Sequence, residues 1–215
     1  WSAEDMPMGK DMMYTMFSMQ GKHVAGGSQF PPFMTNIPSH WNNYIAVDDV
    51  DATVARALEL GGKVSMAPMD VMQAGRMADI EDSTGGHIEL WQAKKQIGAE
   101  MVNTTGAMGW NELYTNDVEK SKEFYGKLLG WTFDSEDSGY TMILNKGRMN
   151  GGILQLTKEM ECMQQGWLPY FSVASSEDTI KKTIELGGKV LLSRTIPQGK
   201  IALVSEPTGA VCMTI

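Results

Sequence analysis

The chain of 215 residues is long enough for two domains of ordinary size, each able to bury a core of its own. Its net charge of -8 has the wrong sign for a face that grips polyphosphate or anionic lipid, which needs clustered Lys and Arg, so nucleic acid is not an expected partner. No apolar run approaches the roughly 20 residues that cross a bilayer, so no membrane is expected, and Cys162 and Cys212 are too few for a disulfide framework and lack zinc-site spacing. A reducing cytoplasm is the simplest compartment for such a chain.

From the start, Trp1 leads into Tyr14-Thr15-Met16 just as Trp131 leads into Tyr140-Thr141-Met142. Ahead of Trp131 the pattern predicts a strand over 109–115 and a helix over 116–129. Nothing comparable precedes Trp1, so the first repeat is expected to lack its opening strand and helix, with about 25 to 35 further residues upstream.

The second repeat, about 37–92, opens on Trp41-Asn42-Asn43-Tyr44-Ile45-Ala46-Val47, whose alternation predicts a half-buried strand. A helix follows Asp49 with Val50, Val54 and Leu58 on one stripe, and Gly61-Gly62 ends it. The last two strands of this repeat flank the turn-rich Asp82-Ser83-Thr84-Gly85-Gly86. A polar linker occupies 93–105.

The third repeat runs from Gly106 to about Leu156. Asn116 is the expected helix cap, with Glu119 three residues on, and Val118, Tyr125, Leu128 and Leu129 form the apolar stripe. The fourth repeat, closing at Ile215, carries Trp167, Tyr170, Val173 and Gly187-Gly188-Lys189-Val190 at the spacing of Trp41, Tyr44, Val47 and Gly61-Gly62-Lys63-Val64. Its helix starts at Ser175 or Ser176, with Glu177 and Asp178 where the helix dipole is positive. Arg76 and Lys200 occupy equivalent strand starts and read as solvated edge charges rather than as holders of an anionic substrate.

The motifs Asp117-Val118 to Phe124-Tyr125, Leu129-Gly130-Trp131, the two Gly-Gly-Lys-Val copies and Thr84-Gly85-Gly86-His87-Ile88-Glu89-Leu90 resemble the vicinal-oxygen-chelate superfamily of glyoxalase I, bleomycin-resistance proteins and extradiol dioxygenases. The likeness is greatest to two-domain glyoxalase-like proteins of unassigned reaction, through His40-Trp41 and Trp110 to Leu113. The resemblance implies an α+β fold of tandem strand-helix-three-strand (βαβββ) units forming cupped mixed sheets. The expected domains are 1–98, with its opening strand and helix missing, and 106–215, joined by 99–105.

In that superfamily a metal is held by a residue early in each first strand and by a Glu in each last strand. Carried over, those positions fall on Trp110, Gln155, Leu168 and Met213 in the second half, a set with no donors suited to a hard divalent ion. In the first half they fall near Gln29 and Phe30, on Asn42 and on Glu89, with one position upstream of Trp1. No metal is therefore favoured. The alternative is a Zn, Ni, Fe or Mn ion on His40 and Glu89.

Alternation places Ile45, Val47, Leu113, Phe171 and Val173 under the helices and turns Asn42, Tyr44, Trp110, Glu112, Tyr114, Tyr170 and Ser172 toward the cup. Glu112 among aromatics is the candidate general acid or base, with Tyr170 as its catalytic partner and Tyr44, Trp110, Tyr114 and Ser172 as substrate-binding residues. The expected function is that of a small-molecule-binding or small-molecule-modifying glyoxalase-like protein with a metal-independent concave pocket. The alternative is a divalent-metal lyase or isomerase resembling glyoxalase I, the lactoylglutathione lyase. The expected partner is a small organic molecule, and a homo-oligomer is compatible with the sequence.

Overall fold

Alternating apolar runs become strands and four-residue apolar spacing becomes helices, in the expected order. The structure, a computed structural model, describes residues 1–8, 12–31, 37–160 and 163–215. Cys162 lies outside the described residues.

In chain order, β1 (Ser2–Pro7), β2 (Met13–Met19) and β3 (Lys22–Ser28) are followed by β4 (Tyr44–Ala46), α1 (Val50–Glu59), β5 (Lys63–Val71), β6 (Gly75–Glu81) and β7 (His87–Ala93). Then come β8 (Met108–Thr115), α2 (Val118–Leu129), β9 (Thr132–Ser135), β10 (Tyr140–Asn145) and β11 (Arg148–Gln155). The chain closes with β12 (Gly166–Phe171), α3 (Ser176–Glu185), β13 (Lys189–Ile196), β14 (Gly199–Ser205) and β15 (Val211–Thr214).

Each helix starts on an oxygen side chain that accepts a first-turn backbone N–H, which has no carbonyl four residues back to pair with. Asp49 accepts from Ala52, Asp117 from Lys120 and Ser175 from Asp178. The α2 cap is Asp117 and not Asn116: Asp117 holds the extended backbone from which its carboxylate accepts the Lys120 N–H. Gly61 and Gly187 follow α1 and α3 at φ +86 and +84, a left-handed conformation that lets the chain leave the helix at once.

Contacts gather the chain into two compact units. Sequence repeats mark segments that are alike, whereas contacts mark segments that touch. One unit takes Trp1–Trp41, Gly98–Gly109 and Tyr170–Ile215, and the other takes Asn42–Ile97 and Trp110–Pro169.

In the first unit β1, β2 and β3 form an antiparallel sheet in that order, burying Met16 and Val24. Glu100 of the linker exchanges backbone and side-chain hydrogen bonds with His23 on β3. A second sheet orders its strands β13, β14, β15 and the end of β12, with β12 parallel to β15. Ala202, Val204 and Cys212 form its core with Trp41, Phe171, Ile180 and Val190. Burial and the Glu206 charge push the Cys212 thiol up to about 12, so it is an inert apolar filler there.

In the second unit the sheet β4-β7-β6-β5 is parallel only between β4 and β7, and the strands β8-β11-β10-β9 repeat that arrangement, parallel only between β8 and β11. A single core draws Val50, Val54 and Ala57 from α1, Phe124 and Tyr125 from α2, Ala78, Ile80, Ile88 and Leu90 from one sheet, and Leu113, Ile143 and Ile153 from the other. Ile45 and Val47 pack against it, as their alternation predicts. Glu89 and Glu112, one residue out of phase with the core positions on their strands, therefore lie on sheet faces turned away from it.

Arg76 is not a solvated edge charge. Its guanidinium takes both oxygens of Asp51, at 2.6 and 2.8 Å, and reaches Asp70 at 3.2 Å. These bonds raise its pKa, and the Arg76 hydrogen bond lowers that of Asp51. Lys200 repeats the device on Glu177 at 2.9 Å. In both repeats a basic residue on the second strand after the helix clamps the first helical turn.

Candidate functional site

Glu112 is 6% exposed on the middle of β8, and its carboxylate is held from two sides. Tyr114, two residues along the same face, donates its hydroxyl to Oε2 at 2.8 Å. Tyr140 on β10 donates to Oε1 at 2.9 Å, and Trp110 Nε1 donates in turn to the Tyr140 hydroxyl at 2.9 Å. The result is a directed relay of indole to phenol to carboxylate. Burial first, and the Glu112 charge second, raise the Tyr140 pKa well above the ordinary phenol value, so this hydroxyl stays a donor at any physiological pH.

Tyr140 reaches Glu112 only because β11 lies low between them. Gly152 is the register partner of Glu112 on one side and of Met142 on the other, and a Cβ there would stand 1.9 Å from the Tyr140 hydroxyl oxygen. Tyr14 and Gly26 make the same close approach on β2 and β3, again at 1.9 Å. Gly152→Ala is expected to drive Tyr140 off the carboxylate and to lower stability by about 1–3 kcal/mol. In a background already carrying Tyr140→Ala the same change should cost far less, which thermal unfolding of the double-mutant cycle measures.

The other expected residues divide. Trp110 and Tyr114 join Glu112. Tyr44, on β4, is 51% exposed and meets Trp91 edge-on, with ring centroids 6.2 Å apart. Tyr170 is buried on β12 and, with Ser172, belongs to the first unit. The Ser172 hydroxyl lies over Gly109, where a Cβ would stand 2.1 Å from it. His40 is exposed in the first unit, its Nδ1 at 2.8 Å from the Pro38 carbonyl and its ring beside Phe30. Glu89, in the second unit, is 7% exposed, and its Oε2 has no hydrogen-bond partner among the described residues. Desolvation, and then the charge of Asp79, push its pKa up to about 8.

Two hollows open elsewhere on the second unit. One of about 310 Å³ lies at the ends of β4 and β7, lined by Ala46, Val47, Asp48, Trp91, Gln92 and Ala93. The other, about 260 Å³, lies between α1 and α2 beside Lys120 and Lys127. Neither is lined by Glu112, whose immediate surround is its own tyrosines.

Residues 109–144 match the family model for the bleomycin resistance protein-like N-terminal region. CFP32 of Mycobacterium tuberculosis, which carries a glyoxylase name, is 36% identical over 219 residues, covering 98% of this chain and 83% of that protein. The chain belongs to the vicinal-oxygen-chelate superfamily. Another relative, the anthracycline biosynthesis protein DnrV of Streptomyces peucetius, is 31% identical over 214 residues, covering 92% of this chain and 77% of that protein. Among solved structures, the Mn(II)-bound glyoxalase of Novosphingobium aromaticivorans aligns with a TM-score of 0.57 at 15% identity, covering all of this chain and 73% of its own. The 2,3-dioxygenase LapB of Pseudomonas sp. KL28 also scores 0.57, at 13% identity, over 99% of this chain and 82% of its own. These two likenesses concern the fold.

Among the described residues, the carried-over positions offer few donors suited to a divalent ion. At the carried-over positions Leu168 and Met213 are buried apolar side chains, Trp110 is committed to Tyr140, and Gln155 gives its amide to the Asn116 carbonyl. Among the described residues no three His, Cys, Asp or Glu side chains gather as a metal would require. Glu89 alone is a good ligand, and one carboxylate does not make a site.

Sequence reasoning missed Tyr140 and Gly152. The signal was available, since Tyr14 with Gly26 and Tyr140 with Gly152 fall at the same repeat spacing, and a glycine on the strand facing a tyrosine's strand marks a close approach.

Proposed function

We propose that this superfamily member binds, and by proton handling modifies, a planar hydroxylated aromatic molecule at Glu112, without a metal. The observation that carries the reading is the fixed carboxylate. Tyr114 and Tyr140 each donate a phenol hydroxyl to one of its oxygens, which holds an acceptor-only group in one orientation against aromatic rings. Trp110, Tyr114 and Tyr140 supply aromatic surface around it, the mixture of apolar wall and few polar groups typical of a ligand site. The DnrV relative, named for anthracycline biosynthesis, supports a ligand of this class. The small number of cysteines supports a cytoplasmic location, no helix among the described residues is long and apolar enough to cross a membrane, and a homo-oligomer is compatible with the sequence.

The test is tryptophan fluorescence titrated with a hydroxyanthraquinone and, in parallel, with its unsubstituted parent. The hydroxylated compound should bind more tightly, and Glu112→Gln should weaken it about 10- to 100-fold, the worth of a hydrogen bond to a charged group. Equal affinity for both compounds, or unchanged affinity in Glu112→Gln, would remove Glu112 as the ligand's anchor.

A further inference from the structure

On the outer face of the sheet β4-β7-β6-β5, Glu89 stands directly opposite Asp79 across the antiparallel ladder and opposite Tyr44 across the parallel one. Ionising both groups in that relation would set like charges face to face, and a buried polar atom without a partner is costly, so the sequence places two penalties at one spot. Glu89 is more than nine-tenths buried with Oε2 unmet, while the Asp79 side chain is 22% exposed and forms the rim. His87 meets that rim, its Nδ1 at 3.3 Å from Asp79 Oδ1 and 3.4 Å from Ser65 Oγ. Trp91, two residues beyond Glu89 on the same face, sets its ring edge-on to Tyr44.

Two facing carboxyl groups beside two aromatic rings suit one kind of guest. A compact organic cation satisfies the orphan oxygen by a charge-assisted hydrogen bond, offsets the repulsion that ionising both Glu89 and Asp79 would create, and is attracted by the faces of neighbouring rings. A divalent ion is served poorly, because the described residues bring no third ligand and rings displace the waters that would complete its shell. Trp91 also lines the hollow of about 310 Å³ at the strand ends, two residues along β7 from Glu89.

We propose that the Glu89–Asp79 pair is a binding site for the ammonium group of a small organic amine, at the last-strand position where the superfamily resemblance places a metal-binding glutamate. The site is separate from Glu112, which lies on other strands of the same unit, and does not depend on what binds there.

The experiment is isothermal calorimetry of the full chain at neutral pH with benzylammonium and with benzyl alcohol, which has the same ring and no charge. Saturable binding of benzylammonium alone is expected. Glu89→Gln should weaken it at least about tenfold, Asp79→Asn should weaken it by a similar factor, and Glu112→Gln should leave it unchanged. Asp79, being partly exposed, supplies the decisive variant if Glu89→Gln does not fold. The proposal is overturned if benzyl alcohol binds as well as benzylammonium, if benzylammonium shows no saturable binding, or if neither variant weakens it. It is overturned equally if Mn²⁺ binds stoichiometrically to the parent chain and not to Glu89→Gln.

Discussion

Asp82→Ala is expected to destabilise the protein by about 3–5 kcal/mol, enough to lower the melting temperature by roughly 10 °C. Asp82 is 2% exposed in the turn between β6 and β7, and both of its oxygens are occupied. Oδ1 accepts from the Thr84 N–H at 2.7 Å, the Thr84 hydroxyl at 2.7 Å and the Gly86 N–H at 3.0 Å. Oδ2 accepts from the Tyr125 hydroxyl at 2.8 Å, and that hydroxyl accepts from Trp167 Nε1 at 2.8 Å. The carboxylate thus closes its own turn and ties it to α2. Truncation strands several buried donors, each worth about 1–3 kcal/mol when left unmet. Tyr125→Phe keeps the packing against Trp131 and Trp167 and loses the bridge alone, so it should cost less than Asp82→Ala. Thermal and urea unfolding of both variants supply the comparison. A loss below about 1 kcal/mol for Asp82→Ala would mean that water replaces the carboxylate and that the turn is not pinned by it.

That pin marks the boundary of what local pattern conveys. Helix starts, glycine stops and the inward set Ile45, Leu113 and Phe171 are written in neighbouring residues, because capping and alternation are short-range effects. The outward position of Glu112, and its need for a tyrosine partner, followed from the same alternation together with the cost of burying a carboxylate. The identity of that partner did not follow completely. Tyr114 shares the strand and was legible, whereas Tyr140 arrives from two strands away across Gly152. The Asp82–Tyr125 bond spans 43 positions and the Arg76–Asp51 pair 25, and each needed tertiary placement before its meaning appeared. Asn116 looked like a cap by residue type, yet its neighbour Asp117 holds the extended conformation that a cap requires. The repeat located segments that are alike in sequence. It carried no information on which segments bury surface against one another, and the compact units follow that second property.

Glu89 should make stability fall as pH rises, the reverse of the usual behaviour of a paired carboxylate. Its ordinary value is 4.5, and desolvation followed by the Asp79 charge carries it to about 8 in the folded chain. Between those values the unfolded chain has released a proton that the folded chain keeps, so the folded state binds more protons and unfolding becomes easier with each step toward alkaline pH. The contribution is present in full below about pH 4.5 and is lost as pH passes through about 8. The slope should approach about 1.4 kcal/mol per pH unit, for a total on the order of 3–5 kcal/mol across the window. Glu89→Gln keeps the shape and cannot ionise, so the variant should be no more stable than the parent in acid and progressively more stable toward pH 8 and above. Urea unfolding of both chains across this range isolates the effect, since the remaining titrating groups cancel in the difference. Asp79→Asn removes the like charge, lowers the folded-state value of Glu89 and should move the upper end of the window toward acid. Parallel pH profiles for parent and Glu89→Gln would show that Glu89 ionises alike in the folded and unfolded chains, and that its carboxyl is not kept neutral by burial.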